Sequence, residues 1–215
     1  MTNVLLVRHG QSVWNATGRW QGQADPELSD LGRVQAASAT AAIGNVDLVV
    51  ASDLVRASET AEIIAEQLGI GPVVLDPDLR ERDAGEWSGL TRPEIHERYP
   101  GYLPDDPQTI LHGGSSDPLE TAGRRPPGWE DDASLTMRAL RALRRMHAAS
   151  PGGAVLAVTH GGVVMALERD LGVPAGKLAN LGARWVTIDD AGFWAGERVE
   201  LLATDTVPVT TPDAI

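Results

Sequence analysis

Five short apolar runs recur along the chain, and stretches with helical periodicity separate several of them. Each run has the length of a strand that is buried on both faces of a sheet. Strands that alternate with helices are typical of βαβ units around a parallel sheet. The pattern therefore predicts an α/β fold with a mostly parallel sheet, whose strands lie at residues 4–7, 48–51, 73–75, 155–158 and 185–188.

Capping residues and apolar periodicity predict three helices between these strands. In the third helix four arginines point mostly away from the apolar stripe, so we expect most of them to lie in solvent. The helices are predicted from Ser29 to Ile43, from Ser52-Asp53 to Leu68, and from about Asp132 to His147, and the arginines are Arg138, Arg141, Arg144 and Arg145.

The length of the chain predicts one domain. A chain of 215 residues, of which 42% are hydrophobic, can bury one sizeable core, so we expect residues 1–215 to form a single domain. Pro, Gly, Asp and Ser crowd its middle, which predicts a variable insertion over the sheet at about 90–130. A lid, a specificity element and disordered decoration are open interpretations of the insertion. The Thr- and Pro-rich end predicts a loose tail at about 203–215.

Composition argues against several classes of function. The net charge of −12 disfavours a nucleic-acid partner, which would need clustered cations. The lack of cysteine rules out thiol catalysis and thiolate metal sites. The sequence shows no apolar stretch long enough to span a membrane, and no basic leader precedes the first strand. We therefore expect a soluble, cytoplasmic protein with no membrane partner.

Two of the predicted strands end in histidine followed by glycine, at Arg8-His9-Gly10 and at His160-Gly161. The carboxyl ends of parallel strands are where open α/β sheets bind their ligands. The cation directly before His9 suggests that the ligand is an anion. For either histidine taken alone, a structural role is the alternative.

Two further charged residues could join such a site. Arg56 is predicted in the early turns of the second helix, where free backbone N–H groups favour anions. Its alternative is a surface ion pair with Glu59 or Glu62. Glu81 follows the third strand in a charged loop and could serve as a general acid, and its alternative is a surface pair with a neighbouring arginine.

Together these residues indicate phosphoryl transfer through a phosphohistidine. Imidazole is nucleophilic near neutral pH because its pKa is about 6.5, so His9 could attack phosphorus in line. Arg8, Arg56 and a protonated His160 could hold the phosphoryl oxygens without a metal. Glu81 could protonate the leaving group and then activate water against the phosphoenzyme.

The order of these motifs resembles the histidine phosphatase superfamily, the phosphoglycerate mutase-like group, over about residues 4–190. The resemblance implies a three-layer α/β/α sandwich, with His9 as the phosphorylated residue and Glu81 as the acid/base. It also implies phosphate contacts by Arg8, Asn15, Arg56, His160 and Gly161, and candidate substrate contacts by Gln21 and Gly22.

The resemblance favours a metal-independent phosphatase that hydrolyses a small phosphorylated metabolite, of the sugar phosphate or phosphoglycerate type. It implies no cofactor, and a homodimer is a candidate assembly. The first alternative is a bisphosphoglycerate-dependent phosphoglycerate mutase, and the second is a non-catalytic phosphate-binding regulatory domain. Gly128-Trp129-Glu130-Asp131 stands where relatives often carry Gly-Gly-Glu-Ser, so we expect different substrate contacts there. No His-Glu-x-x-His pattern or acidic cluster at ligand spacing supports a metal site.

Overall fold

The strands of a computed structural model, which describes residues 1–103, 124–203 and 207–211, form one sheet. The four strands β1, β2, β3 and β4 run parallel, whereas β5 and β6 are antiparallel to their neighbours. In the described residues the strand order is β3-β2-β4-β1-β5-β6. The strands are β1 (Thr2–Arg8), β2 (Leu48–Ala51), β3 (Val74–Leu75), β4 (Ala154–Thr159), β5 (Gly182–Asp189) and β6 (Gly192–Glu200).

Helices cover both faces of this sheet. They are α1 (Val13–Ala16), α2 (Asp30–Ala39), α3 (Val55–Leu68), α4 (Arg92–Arg98), α5 (Asp132–Ala149) and α6 (Gly161–Asp170). Single 3₁₀ turns occur at Thr40–Ala42, Pro77–Leu79 and Gly85–Trp87.

Alternate residues of β1 show the three layers. Val4 and Leu6 pack in the cluster that contains the buried residues of α5 and α6, whereas Leu5 and Val7 pack in the cluster on the side of α2 and α3. Successive side chains of a strand point to opposite faces of its sheet, so a strand with both sets buried needs cover on both sides. The predictions of a mostly parallel sheet and a three-layer sandwich are confirmed.

The predicted elements differ from the structure mainly at their ends. All five predicted strands are present, but the strand β6 and the helices α1, α4 and α6 were not predicted. The cap of α3 is Leu54 rather than Ser52 or Asp53, because Asp53 binds Arg80 instead. Helix α3 ends at Leu68, as predicted, and Gly69 follows it in the left-handed conformation.

The two segments predicted to be irregular are described only in part. Helix α4 lies within the predicted insertion, and residues 104–123 of that insertion fall outside the described residues. In the predicted loose tail, residues 207–211 instead lie against the domain and hydrogen-bond to Gln35 and Asn180. Residues 204–206 and 212–215 fall outside the described part. Among the described residues we find no helix with the length and apolar character needed to cross a membrane.

Candidate active site

Parallel pairing of β1 with β4 brings two histidines together at one edge of the sheet. Arg8 lies opposite Thr159 in the register, so the next residues, His9 and His160, leave the two strands side by side. Their ring centroids are 5.1 Å apart, and the rings meet edge to face. A Cβ on Gly10 would lie 2.5 Å from the carbonyl oxygen of Gly32, so only glycine allows the chain to pass α2 this closely.

His9 is held as a neutral nucleophile. Its Nδ1 lies 2.6 Å from the carbonyl oxygen of Gly10. Because a carbonyl oxygen can only accept, Nδ1 carries the hydrogen and the lone pair is on Nε2. Burial, followed by the charges of Arg56 and Arg8, lowers the pKa of His9 well below 6.5. The imidazole therefore stays unprotonated at neutral pH, as in-line attack requires.

The surroundings of His160 favour its neutral form in the absence of a bound anion, whereas a protonated ring was expected. Burial is the largest cause that lowers its pKa well below 6.5, and the charge of Arg56 is the next. The Oγ atom of Ser52 lies 2.9 Å from His160 Nε2 and also accepts a hydrogen bond from the backbone N–H of Leu54. A Ser52 hydroxyl that donates to Nε2 leaves the hydrogen of His160 on Nδ1, the ring nitrogen that has no partner in the described structure. The neutral ring still offers one N–H donor.

The guanidinium groups of Arg8 and Arg56 are buried without a carboxylate partner in the described chain. Arg8 donates to the carbonyl oxygen of Leu178 at 2.6 Å, and Arg56 donates to those of Ala24 and Gly22 at 2.8 and 2.9 Å. Burial lowers the pKa of each to about 10, so both stay charged at neutral pH. The negative charge of Glu81 acts on both arginines, but these three hydrogen bonds all go to neutral carbonyls, and two such buried cations favour an anionic ligand beside them.

The alternative pairings considered from the sequence are wrong for these charged residues. Glu59, an expected surface partner of Arg56, pairs with Arg33 at 2.6 Å. The arginines next to Glu81 are also engaged elsewhere, because Arg80 pairs with Asp53 and Arg82 with Asp132.

Glu81 lies at the amino end of α6. One carboxylate oxygen accepts the backbone N–H of Arg82 at 2.7 Å, and the other accepts that of Gly162 at 3.1 Å. A Cβ on Gly162 would lie only 2.2 Å from Oε1 of Glu81. Glycine at this position therefore makes room for the carboxylate on the helix terminus, where negative charge is favoured.

The expectation that most arginines of the third helix lie in solvent is confirmed, because three of the four are exposed, and Arg138 is the exception. Its side chain is buried, pairs with Glu130 at 2.7 Å and donates to the backbone carbonyl of Glu81 at 2.9 Å. It also donates to the carbonyl oxygens of Asp78 and Arg80. These carbonyl oxygens lie outside any strand, so no strand ladder supplies hydrogen-bond donors to them. Arg138 supplies those donors instead.

The remaining predicted site residues divide into two groups. Asn15 is buried, and its Nδ2 has no partner in the described structure. Gly161 starts α6, and a Cβ there would lie 3.1 Å from an Arg8 nitrogen. By contrast, the Gln21 side chain accepts a hydrogen bond from the Ser12 hydroxyl, and Gly22 offers its backbone carbonyl to Arg56. Gln21 and Gly22 therefore contact other residues of the site, Ser12 and Arg56.

Unpaired donors concentrate in this site. Within the described residues, five buried side-chain polar atoms lack a hydrogen-bond partner, and four of them belong to the predicted phosphate residues. Such groups are rare in folded proteins and call for a ligand or another specific explanation. No group of three or more metal-ligating side chains occurs in the part of the chain that the structure describes. The four atoms are Arg8 Nε, Asn15 Nδ2, Arg56 Nε and His160 Nδ1.

Comparison with known proteins gives consistent results. The sequence model described as the histidine phosphatase superfamily (branch 1) matches residues 4–199. Glucosyl-3-phosphoglycerate phosphatase of Mycolicibacterium vanbaalenii is 36% identical, over 86% of this chain and 83% of the relative. Metal-independent phosphoserine phosphatase of Arabidopsis thaliana is 35% identical, over 88% of this chain and 78% of the relative. The solved mycobacterial glucosyl-3-phosphoglycerate phosphatase, in complex with VO3, superposes with a TM-score of 0.75 at 30% identity, covering 90% of this chain and 96% of the other.

Proposed function

Because the chain belongs to the histidine phosphatase superfamily (branch 1), we propose that it hydrolyses small phosphomonoesters without a metal, through a phosphohistidine at His9. The observation that carries this proposal is the set of four buried, unpaired polar atoms around a neutral histidine. Two of these atoms belong to the buried Arg8 and Arg56, and the set suits the three equatorial oxygens of a phosphoryl group during its transfer.

In the first step, Nε2 of His9 attacks phosphorus opposite the ester oxygen. The P–O bond to the leaving group breaks as the P–N bond forms, and Glu81 in its acid form donates a proton to the departing alkoxide. Arg8, Arg56 and His160 donate hydrogen bonds to the phosphoryl oxygens while their charge is redistributed.

In the second step, a water molecule replaces the alcohol. Glu81, now a carboxylate, takes a proton from that water as the oxygen attacks phosphorus, and the P–N bond breaks. The products are inorganic phosphate and neutral His9, so the enzyme returns to its starting state. The lowered pKa of His9 supports this role. When the P–N bond breaks, the ring leaves phosphorus as neutral imidazole, which is the form that the buried site favours.

The activities named for two relatives support a proposal for the substrate class. Glucosyl-3-phosphoglycerate and phosphoserine, named in the activities of two relatives, are both phosphomonoesters of small molecules that carry a carboxylate. We propose that the substrate of this chain is a small phosphomonoester of the same kind, of the sugar phosphate or phosphoglycerate type. A mutase or a non-catalytic phosphate-binding domain would use the same pocket, so the assay must separate these functions.

A phosphate-release screen tests the proposal. Sugar phosphates, phosphoglycerates, phosphoserine and nucleotides are incubated with the protein, with and without a chelator, and each is repeated with His9→Ala. We expect release that is insensitive to chelator and lost in His9→Ala. Phosphoglycerate interconversion that depends on a bisphosphoglycerate primer, without net release, would instead favour the mutase. Phosphate binding without any turnover would favour the binding domain.

A further inference from the structure

The loop that precedes β5 touches the Arg8–His9 pair at three points. The carbonyl oxygen of Leu178 accepts a hydrogen bond from the Arg8 guanidinium at 2.6 Å. The backbone N–H of Leu181 donates to the carbonyl oxygen of Arg8 at 3.0 Å. The side-chain amide of Asn180 donates to the carbonyl oxygen of His9 at 2.9 Å. This loop therefore fixes both the backbone and one side chain of the pair.

Asn180 also helps to orient the side-chain amide of Asn15 in the site. The Oδ1 atom of Asn15 accepts from the backbone N–H of Ser12 at 3.2 Å and lies 3.4 Å from Nδ2 of Asn180. Because donors meet Asn15 on its oxygen side, its unpaired atom is the Nδ2 donor. An Asn15 amide turned the other way would present an acceptor to an anion and would weaken its binding.

The C-terminal segment in turn orients Asn180, which is completely buried. The Thr210 hydroxyl donates to Oδ1 of Asn180 at 2.7 Å, and the Thr210 carbonyl accepts the Asn180 backbone N–H at 2.8 Å. Gln35 donates to the Thr210 hydroxyl at 3.1 Å and to the carbonyl of Pro208 at 2.8 Å. Each bond fixes the direction of the next, from Gln35 through Thr210 and Asn180 to Asn15.

Backbone strain lies at the same place. Leu181 has a φ of 58°, and it is the one non-glycine residue with positive φ that the structure describes. A side chain in this left-handed region is costly, and such residues persist where surrounding contacts hold them, often at functional sites. Here the strained backbone at Leu181 follows directly after Asn180, whose side chain contacts the carbonyl oxygen of His9.

We propose that Asn180, oriented by Thr210 of the C-terminal segment, is a positioning residue that holds His9 and Asn15 in the geometry that binds the phosphoryl group. This inference rests on the proposed function for the identity of the anion. The C-terminal segment is then part of the site's architecture, although it touches no reacting atom.

Thr210 variants test this, with inorganic phosphate as the probe and isothermal calorimetry as the measurement. Thr210→Val removes the hydroxyl at nearly constant volume, and we expect the Kd for phosphate to rise about 3- to 10-fold. Thr210→Ser keeps the hydroxyl and should bind phosphate as the wild type does. Thr187→Val is the matched control, because it removes a similar hydroxyl bond, from Thr187 to Asn3 at 3.0 Å, at the far end of β5.

A double-mutant cycle separates positioning from general destabilisation. Thr210→Val should weaken phosphate binding much less in the Asn15→Ala background, because the donor that it orients is already gone. Equal loss in both backgrounds, or equal effects of Thr210→Val and Thr187→Val, would overturn the proposal. A wild-type protein that binds no phosphate would also overturn the proposal.

Calorimetry needs no turnover, so the two proposals can fail separately. A protein that binds phosphate with the expected cycle but hydrolyses no ester would refute the phosphatase proposal and keep this one. An active enzyme whose Kd for phosphate is unchanged by Thr210→Val would keep the phosphatase proposal and refute the positioning role of Asn180.

Discussion

Replacing Gly162 with alanine should disable acid catalysis while leaving phosphate binding largely intact. The added Cβ would lie 2.2 Å from Oε1 of Glu81, more than an ångström closer than an ordinary contact of 3.4 Å. The carboxylate must therefore move off the helix terminus and lose its hydrogen bond from the residue 162 N–H. A displacement of about 1 Å in a catalytic group can cost about 100-fold in rate, and general acid catalysis contributes about 10²- to 10⁴-fold.

The assay compares leaving groups. For alkyl phosphates, whose alkoxide needs a proton, we expect kcat/KM of Gly162→Ala to fall about 100-fold, which is about 2.7 kcal/mol of transition-state stabilisation. For 2,4-dinitrophenyl phosphate, whose leaving group departs without a proton, we expect kcat/KM to change little. The ratio kcat/KM is used because it reports the steps up to phosphorylation of the enzyme and not the later hydrolysis.

Gly44→Ala is the control for the substitution itself, because a Cβ there meets nothing within 4 Å. It should leave both substrates unaffected. If Gly162→Ala slowed both kinds of ester equally, the carboxylate of Glu81 would not be the proton donor, and the assignment of its role would be refuted.

Three further perturbations have expected outcomes. The folded state lowers the pKa values of His9 and His160 well below 6.5, so the unfolded chain binds more protons under acidic conditions. The free energy of unfolding, measured with urea, should therefore drop by about 1 kcal/mol per histidine between pH 6.5 and about pH 5.5, and a His9→Ala variant that keeps the full pH slope would contradict this. Arg138→Met should destabilise the fold by about 3–5 kcal/mol, because it takes the cation from the largely buried Glu130 carboxylate and the donors from the carbonyls of the Glu81 loop. A thermal midpoint equal to that of the wild type would argue against this network. Ser52→Ala should raise the KM for phosphomonoesters about tenfold or more, because His160 would lose its hydrogen-bond partner at Nε2 and with it the orientation of the ring. An unchanged KM would show that another contact holds the ring.

The central layer of the fold was predictable because its strands are apolar runs. Both faces of β1 and β4 are buried, so almost every residue in them must be apolar, and the sequence shows this directly. The edge strand β6 contains no buried residue and carries no such run, so periodicity could not reveal it. The two histidines were predictable for the same reason as their strands, since each is the second residue after an apolar run.

The supporting contacts were not predictable, because they join positions far apart in the chain. Ser52 follows a strand and precedes a helix, which favours a capping role, yet its hydroxyl binds His160, 108 residues later. Arg138 lies on a helix whose neighbouring arginines are more exposed, and its partners lie on the loop before α4 and just before its own helix. No sequence pattern around Asn180 indicates its role, because its hydrogen bond to the carbonyl oxygen of His9 forms only in the folded chain.

Direct detection of a phosphoryl group on His9 is the measurement that tests the central claim. In Glu81→Gln, 2,4-dinitrophenyl phosphate should still phosphorylate the enzyme, because its leaving group needs no acid, whereas hydrolysis should stall for lack of a base. We expect a rapid burst of one dinitrophenolate per enzyme, and mass spectrometry after an alkaline quench should place one phosphoryl group on the peptide that contains His9. Phosphate release without a burst, a phosphoryl group on another residue, or undiminished turnover in His9→Ala would contradict the account.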